Sequence, residues 1–361
     1  MTSTIIQKLG NTVKQIAKNK SSSWWYTPHM SAASRAIAQR IPLVDFVLEV
    51  RDARIPLSSA YEELRNFSTS SRHIVVLNKA ELVNRSELKE WMRYFEQQNN
   101  ICLGVNAHNK DNIREFLNFI QARVRELLKT ERSRHTLTFM LVGIPNVGKS
   151  ALANSLHQMG RITAAEKGKL KHGVVSPHPG DTKNISSLKI ASHPNIYVLD
   201  TPGVLSPEIL DAEVCCKLAL TGAIDDIIVG PTELAQYFLS ILNLGKEYPK
   251  WEKFSNKDIS NSSESDTRLR RQYPSDHTQD FVVNNVRKTL YEAISSFDGD
   301  LGSEDDLAQL IETELRLLQK AFHIPQDLKE DGHAKVATKL INLYRTGRLG
   351  HYVLDPVLRQ S

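Results

Sequence analysis

Acidic residues are missing from the first 44 positions, which hold Lys8, Lys14, Lys18, Lys20, Arg35 and Arg40 before Asp45 supplies the first carboxylate. Within that stretch Ile5, Ile6, Leu9, Val13 and Ile16 recur at spacings of three or four among lysines, the pattern of a basic amphipathic helix over Ile5 to Lys20. It reads either as a mitochondrial targeting segment, poorer in arginine than most, or as an ordinary N-terminal helix. Cysteine is scarce: Cys102, Cys215 and Cys216 are the only three, with no paired spacing for zinc and with the adjacent pair badly placed to bridge. A disulfide framework is thereby excluded, and reduced structural thiols are expected. No run of 18 apolar residues occurs, which excludes a conventional spanning helix. No internal repeat is evident. The net charge of +5 permits an RNA-facing patch without demonstrating one.

What is present fits a globular chain of two or three domains: 361 residues, 40% hydrophobic and 24% charged. Strand-like runs fall at Leu43 to Val50, His73 to Asn78, Ile101 to Asn106, Leu137 to Gly143, Ser187 to Ile190 and Asn195 to Asp200, with helical patterns between most of them. One such helix sets Ile113, Phe116, Leu117, Ile120 and Val124 on a single stripe. Alternating strand and helix predicts an α/β fold with a doubly wound, mostly parallel sheet. After about Ile224 the pattern turns helical, with amphipathic segments at Phe281 to Ser295, Leu307 to Ala321 and Ala334 to Tyr344. A smaller all-helical C-terminal domain is expected there. The polar, serine-rich stretch near 250–280 interrupts it as an exposed insertion or disordered loop. The expected division is a presequence over 1–24, a nucleotide domain over 25–222 and the helical domain over 223–361.

The sharpest chemical signal is Gly143-Ile-Pro-Asn146-Val147-Gly148-Lys149-Ser150-Ala151, which follows a strand directly and precedes a helix. That context is what a phosphate loop requires: glycines let backbone N–H groups wrap phosphates at a helix N-terminus, Lys149 reaches the β and γ phosphates, and Ser150 binds magnesium. Asp200-Thr-Pro-Gly203 closes a later apolar strand, where Asp200 would face the magnesium and the Gly203 N–H the γ phosphate. Between the two lies Pro179-Gly-Asp-Thr182, expected as a mobile loop bringing Thr182 to the metal; a solvated residue is the plain alternative. Lys149, Thr182, Asp200 and Gly203 form the expected catalytic set. Lys167, Lys169, Lys171 and Lys183 could meet RNA phosphates or simply be solvated.

Base choice is expected from Asn78-Lys79-Ala80-Glu81, whose acidic fourth residue can accept from guanine N1–H and the exocyclic amine together. Alone, that motif is weak. The next strand strengthens it by ending in Val105-Asn106-Ala107-His108, where a backbone N–H could meet the guanine carbonyl oxygen. These turns precede the phosphate loop, whereas in an ordinary small GTPase they follow it. In a doubly wound sheet all such turns share the edge beyond the C-terminal strand ends, so a permuted chain order can leave the constellation intact. The permutation leads the Asp200 strand into the C-terminal helices, so nucleotide state could be transmitted there; equal partner affinity in both nucleotide states would count against that.

With this motif order, and Asp52-Ala53-Arg54 after the first strand, the chain resembles the circularly permuted GTPases of the YlqF group, and in particular the mitochondrial ribosome-associated GTPases and the plant mitochondrial DAR GTPases. The likeness covers roughly Trp24 to Gly222 and resumes at LINLYRTGRLGHYVL, Leu340 to Leu354. It implies GTP/GDP binding with Mg2+, a role in assembly of the mitochondrial large ribosomal subunit, contact with its rRNA, and a matrix location. Association with the inner-membrane surface is a further open expectation, and the oligomeric state is not legible. The residues before Trp25 look like an added presequence beside bacterial relatives.

Departures from the family's pattern are informative. Glu81 stands where most relatives carry aspartate, which predicts loosened guanine selectivity. Trp25-Tyr26-Thr27-Pro28-His29-Met30 replaces the usual Trp-Phe-Pro-Gly-His-Met. Val204 follows Gly203 where many GTPases carry a water-orienting glutamine, so unaided turnover should be slow. Asn146 matches the asparagine that helps potassium-stimulated relatives hold a monovalent cation; the alternative is that it only stabilises the loop. Asp52 and Arg54 either wall the phosphate site or form an internal ion pair. Two rival functions remain at this stage: an RNA-binding scaffold without significant turnover, tested by ribosome-stimulated phosphate release, and an ATPase, tested by guanine–adenine competition.

Overall fold

The computed structural model describes residues 4–19, 25–66, 72–130, 136–164, 184–192, 194–207, 209, 211–245, 248–252, 277–325 and 329–357. Thr182, Lys167, Lys169, Lys171, Lys183 and most of the polar stretch near 250–280 lie outside these residues.

Six strands build one sheet: β1 (Phe46–Asp52), β2 (His73–Asn78), β3 (Ile101–Val105), β4 (Thr136–Val142), β5 (Ser186–Ser192) and β6 (Asn195–Asp200). Their order is β3-β2-β1-β4-β6-β5, with every neighbouring pair parallel except the antiparallel β5–β6 edge. The doubly wound sheet expected from the alternating pattern is therefore present. The chain runs outward from β1 to β3, returns, and places β4 on the other side of β1. The β1/β4 boundary is the switch point, where a crevice opens beyond the C-terminal strand ends. Helices on both faces explain why β1 and β4 are almost wholly buried and read as apolar runs rather than alternating ones.

The first strand differs from expectation. Ile41–Leu43 forms a 3-10 turn with Leu43 80% exposed, and β1 starts at Phe46 and runs on through Asp52. Pro42 has no N–H to give a ladder, which ends any strand there. Asp45 then accepts the Thr138 N–H at 2.8 Å, fixing the start of β1 beside β4, where Phe46 and Phe139 stack 4.7 Å apart.

Helices α2 (Pro28–Arg40), α3 (Arg85–Gln97), α4 (Lys110–Thr130), α5 (Lys149–Ala164) and α6 (Ala212–Leu220) belong with the sheet. Thr27 caps α2, its hydroxyl accepting the Met30 N–H at 3.2 Å with Pro28 at the first helical position. Tight packing of α5 on β5 depends on Gly160, since a Cβ there would meet the Ile190 carbonyl oxygen at 1.9 Å.

The contacts divide the chain into two units, Lys18–Asp225 with His351–Ser361, and Met1–Ala17 with Asp226–Gly350. The second unit is helical among the described residues: α1 (Thr4–Asn19), α7 (Asp226–Val229), α8 (Pro231–Leu244), α9 (His277–Ser295), α10 (Glu304–Ala321) and α11 (Lys329–Arg345). The division departs from the expected boundaries at both ends of the chain. The amphipathic helix α1 is built into the helical unit: Val13 is fully buried, Lys8 pairs with Glu304, and Ile16 lies close enough to Gly230 that a Cβ there would touch it at 3.6 Å. At the other end, the tail after Gly350 returns to the sheet unit. Within the helical unit, Phe238 of α8 packs on Tyr344 of α11 with ring centroids 4.8 Å apart. Asn243 of α8 donates to the buried Glu314 of α10 at 2.9 Å.

Candidate functional site

Strand β4 delivers the chain into the loop 143–148, and α5 begins at Lys149. Gly143 and Gly148 have φ of 149° and 94°, and a Cβ on either would collide, with the Val50 carbonyl oxygen at 2.4 Å or with Asn78 Nδ2 at 2.3 Å. Only glycine lets the loop close this tightly on its neighbours. Lys149 is 5% exposed and its ammonium donates to the Gly143 and Ile144 carbonyls at 2.9 and 2.8 Å, bracing the loop from inside. Burial pulls its pKa down to about 8, against the opposing pull of Asp200. Val147 is buried, and Ser150 and Ala151 lie in the first turn of α5, whose leading N–H groups have no partner within the helix.

Asp200 ends β6 fully buried. Burial raises its pKa, while the Ser150 hydroxyl beside it and the Lys149 charge favour the carboxylate. Both of its oxygens are buried, with the Ser150 hydroxyl and the Thr201 N–H against the carboxylate. A buried carboxylate next to a serine hydroxyl is a donor set suited to a hard divalent cation that keeps most of its other ligands from phosphates and water. Among the described residues no cluster of three or more His, Cys, Asp or Glu competes as a metal site. Gly203 passes so near the loop that a Cβ would meet Pro145 Cα at 2.5 Å. Thr201 is buried, its hydroxyl donating to the Leu141 carbonyl at 2.6 Å.

The two turns expected to read the base end β2 and β3, on the same edge of the sheet as the loop. Asn78 is 2% exposed and its Nδ2 donates to the Val147 carbonyl at 2.8 Å. Lys79 adopts the left-handed conformation with φ 60°, which turns the chain into the short helix Ala80–Leu82 and leaves Glu81 exposed. Asn106 is held by two bonds: its N–H donates to Asn112 Oδ1 at 2.6 Å and its Oδ1 accepts the His108 N–H at 2.9 Å. Ala107 between them is buried.

Asp52 and Arg54 form an internal ion pair, the second of the two readings open in the sequence. Arg54 Nε and Nη2 reach the two Asp52 oxygens at 2.9 and 2.8 Å, with both side chains 2% exposed. Lys79 Nζ adds a third contact to Asp52 Oδ2 at 2.9 Å. Burial alone would raise the Asp52 pKa, but Arg54 and Lys79 prevail and hold it well below the usual carboxylate range. Asp52, paired with Arg54, thus also fixes Lys79 in the turn expected to read the base.

Val204 is 1% exposed in an apolar cluster with Met30, Ile37, Val47, Tyr61 and Val142. Helix α2 supplies part of this cluster, and Trp25 Nε1 donates to the Ser206 carbonyl at 3.2 Å, tying the Trp25–Met30 segment to the chain after Gly203.

Residues 138–236 match the family described as "50S ribosome-binding GTPase". The chain is 56% identical over 360 residues to "DAR GTPase 2, mitochondrial" of Arabidopsis thaliana, covering 98% of this chain and 95% of that protein. It belongs to the circularly permuted, YlqF-type GTPases. "Ribosome biogenesis GTPase A" of Bacillus cereus is 30% identical over 85% of this chain and 95% of its own length. "Mitochondrial ribosome-associated GTPase 1" of Xenopus tropicalis is 34% identical over 61% of this chain and 70% of its own length.

This GTPase brings Asn78 to Glu81, Asn106, Ala107, Asn146 to Ala151, Asp200 and Gly203 to one edge of the sheet; Thr182 lies outside the described residues. Sequence reasoning passed over three participants. Gly222 accepts from Asn146 Nδ2 at 2.7 Å, Trp25 bonds Ser206, and Asp355 in the tail bonds Lys217 and the loop after Arg54. The only signal for the last was the family-like ending, which stopped one residue short of it.

Proposed function

We propose that this GTPase is a nucleotide switch in assembly of the mitochondrial large ribosomal subunit, holding the particle with GTP bound and leaving it with GDP. The observation that carries the switch reading is the contrast between the nucleotide cradle and Val204. The loop, Lys149, Asp200 and the base turns lie on one edge, yet the position that would orient water is a valine buried among Met30, Ile37 and Tyr61. Such a site binds tightly and turns over slowly until a missing group arrives from the ribosome. The mitochondrial and ribosomal parts rest on the names borne by its relatives.

In this reading the loop N–H groups and Lys149 hold the phosphates, Ser150, Asp200 and Thr182 hold Mg2+, and the Gly203 N–H senses the γ phosphate. Bound Mg2+ would neutralise charge on the β and γ phosphates. Asn78 shapes the cradle through Val147, the Lys79 stem flanks the base, Glu81 accepts from guanine, and the Asn106–Ala107 turn meets its carbonyl oxygen. Glu81, exposed on a short turn, has the reach for this and a looser fit than aspartate would give. Potassium would act at Asn146, whose amide nitrogen donates to the Gly222 carbonyl at 2.7 Å. Lysine-bearing residues outside the described segments would contact rRNA.

Import into the matrix would use the basic helix α1, either cleaved away or kept as the first helix of the helical unit. The mature N-terminus of protein purified from mitochondria separates the two. The functional test is GTP hydrolysis with and without mitochondrial large subunits, in potassium and in sodium buffer. A rise of 100-fold or more on adding subunits is expected, on the scale of supplied catalytic groups. No stimulation would leave a nucleotide-dependent scaffold, and equal rates in the two salts would remove the potassium role.

A further inference from the structure

The tail after Gly350 returns to the sheet unit and carries a buried carboxylate, Asp355. Asp355 is 5% exposed and accepts four bonds: the Leu57 and Ser58 N–H groups at 2.8 and 2.9 Å and the Ser58 hydroxyl at 2.6 Å, with Lys217 Nζ at 3.2 Å. The Leu354 N–H donates to the Arg54 carbonyl at 2.8 Å, and Val353 and Val357 pack against the cluster around Trp91 and Phe95. The tail is therefore anchored through backbone, side chain and apolar contacts at once.

What Asp355 joins is informative. On one side Leu57 and Ser58 belong to the loop whose Arg54 and Ser59 hold Asp52, and Asp52 holds Lys79 of the base-reading turn. On the other, Lys217 sits 6% exposed in the middle of α6, the helix that follows Gly203, and its charge is shared with Glu213 at 2.8 Å. The same helix is pinned at its C-terminal end to the phosphate loop by Asn146 and Gly222. Burial disfavours the Lys217 ammonium, but Asp355 and Glu213 outweigh it and raise its pKa.

We infer that the C-terminal tail is a working part of the nucleotide switch, with Asp355 a positioning residue that couples helix α6, downstream of the γ-phosphate-sensing Gly203, to the base-reading turn. A buried charged pair holds one geometry and penalises any displacement that parts the charges. Helix α6 can then shift with the state of the γ phosphate only by working against Asp355, which makes the tail a determinant of the preference between GTP and GDP.

The test uses the full chain and four proteins: wild type, Asp355→Asn, Lys217→Met and the double variant. Asparagine keeps an oxygen for Leu57 and Ser58 while removing the charge toward Lys217. Affinities for GDP and for a non-hydrolysable GTP analogue are measured for each, with thermal melting alongside. Each single variant should change the analogue-to-GDP affinity ratio at least threefold, in the same direction, and the double variant should change it no further. A melting temperature that falls while the ratio stays constant would reduce Asp355 to a structural anchor and overturn the inference. So would singles whose effects on the ratio multiply in the double. The inference rests on nucleotide binding at this site, which the wild-type affinities test separately. Should Asp355→Asn fail to fold, Lys217→Met alone must still shift the ratio.

Discussion

Asn78 Nδ2 donates to the carbonyl oxygen of Val147 at 2.8 Å, so the turn proposed to read the base and the loop proposed to hold the phosphates are bonded through a buried amide. The two residues lie 69 positions apart in the chain, Asn78 at the end of β2 and Val147 in the loop after β4, two strands that do not pair directly. The bond links strand ends rather than chain neighbours, so it does not depend on the order of the motifs along the chain.

Replacing Asn78 by alanine removes that bond and leaves the Val147 carbonyl buried. A hydrogen bond of this kind is worth about 1–1.5 kcal/mol, so GTP and GDP should both bind roughly 5- to 10-fold more weakly, with little change in their ratio. Equilibrium titration with both nucleotides checks this. Unchanged affinity would show that the amide bond does not shape the cradle.

Restoring glutamine at position 204 should not restore catalysis. Val204 is buried in the cluster of Met30, Ile37 and Tyr61, so Val204→Gln buries an amide among apolar side chains. That costs about 1–3 kcal/mol in stability, visible as a lower melting temperature. Single-turnover hydrolysis should stay at the wild-type rate; a tenfold acceleration would mean the side chain reaches the γ phosphate.

Lys149 carries a pKa of about 8, held down by burial. Bound phosphates stabilise the ammonium and raise that value, so between about pH 8 and the higher bound-state pKa, nucleotide binding takes up a proton. Calorimetry of GDP binding at pH 9 in two buffers of different ionisation enthalpy should reveal proton uptake that fades by pH 6.5. No uptake at pH 9 would mean that Lys149 is already charged in the free protein.

Glu314, fully buried in the helical unit with one oxygen on Asn243, has its pKa raised by burial to about 8, against the lowering influence of the Asn243 bond. Its folded value lies above its unfolded one, so its contribution is fully present below about pH 4.5, declines as pH rises, and is lost once pH passes about 8. Denaturant unfolding should show stability falling by a few kcal/mol from pH 6 to pH 9 through this group, and Glu314→Gln should flatten that slope. A slope unchanged in the variant would assign the effect elsewhere.

The motif set was legible because its chemistry is local. Gly143 to Ser150, Asp200 to Gly203 and Asn78 to Glu81 are each short turns at strand ends, and the apolar runs before them mark strands buried on both faces. The start of β1 was misread because apolar Leu43 looks like strand, while Pro42 and the 3-10 turn it favours decide otherwise. The choice between wall and ion pair at Asp52 and Arg54 could not be made from two nearby charges. It follows from their burial and from Lys79 reaching the same carboxylate.

The sequence by itself determined the fold class, the family and the order of the motifs, since periodicity and turn chemistry are properties of neighbours along the chain. Only the tertiary structure decided that Val204 is buried in a core, that α1 packs with helices more than 200 residues away, and that Asp355 closes on Leu57 across 298 positions. The physical reason is that burial and ion pairing reward contacts irrespective of chain separation, and one chain order gives no measure of which distant groups will meet.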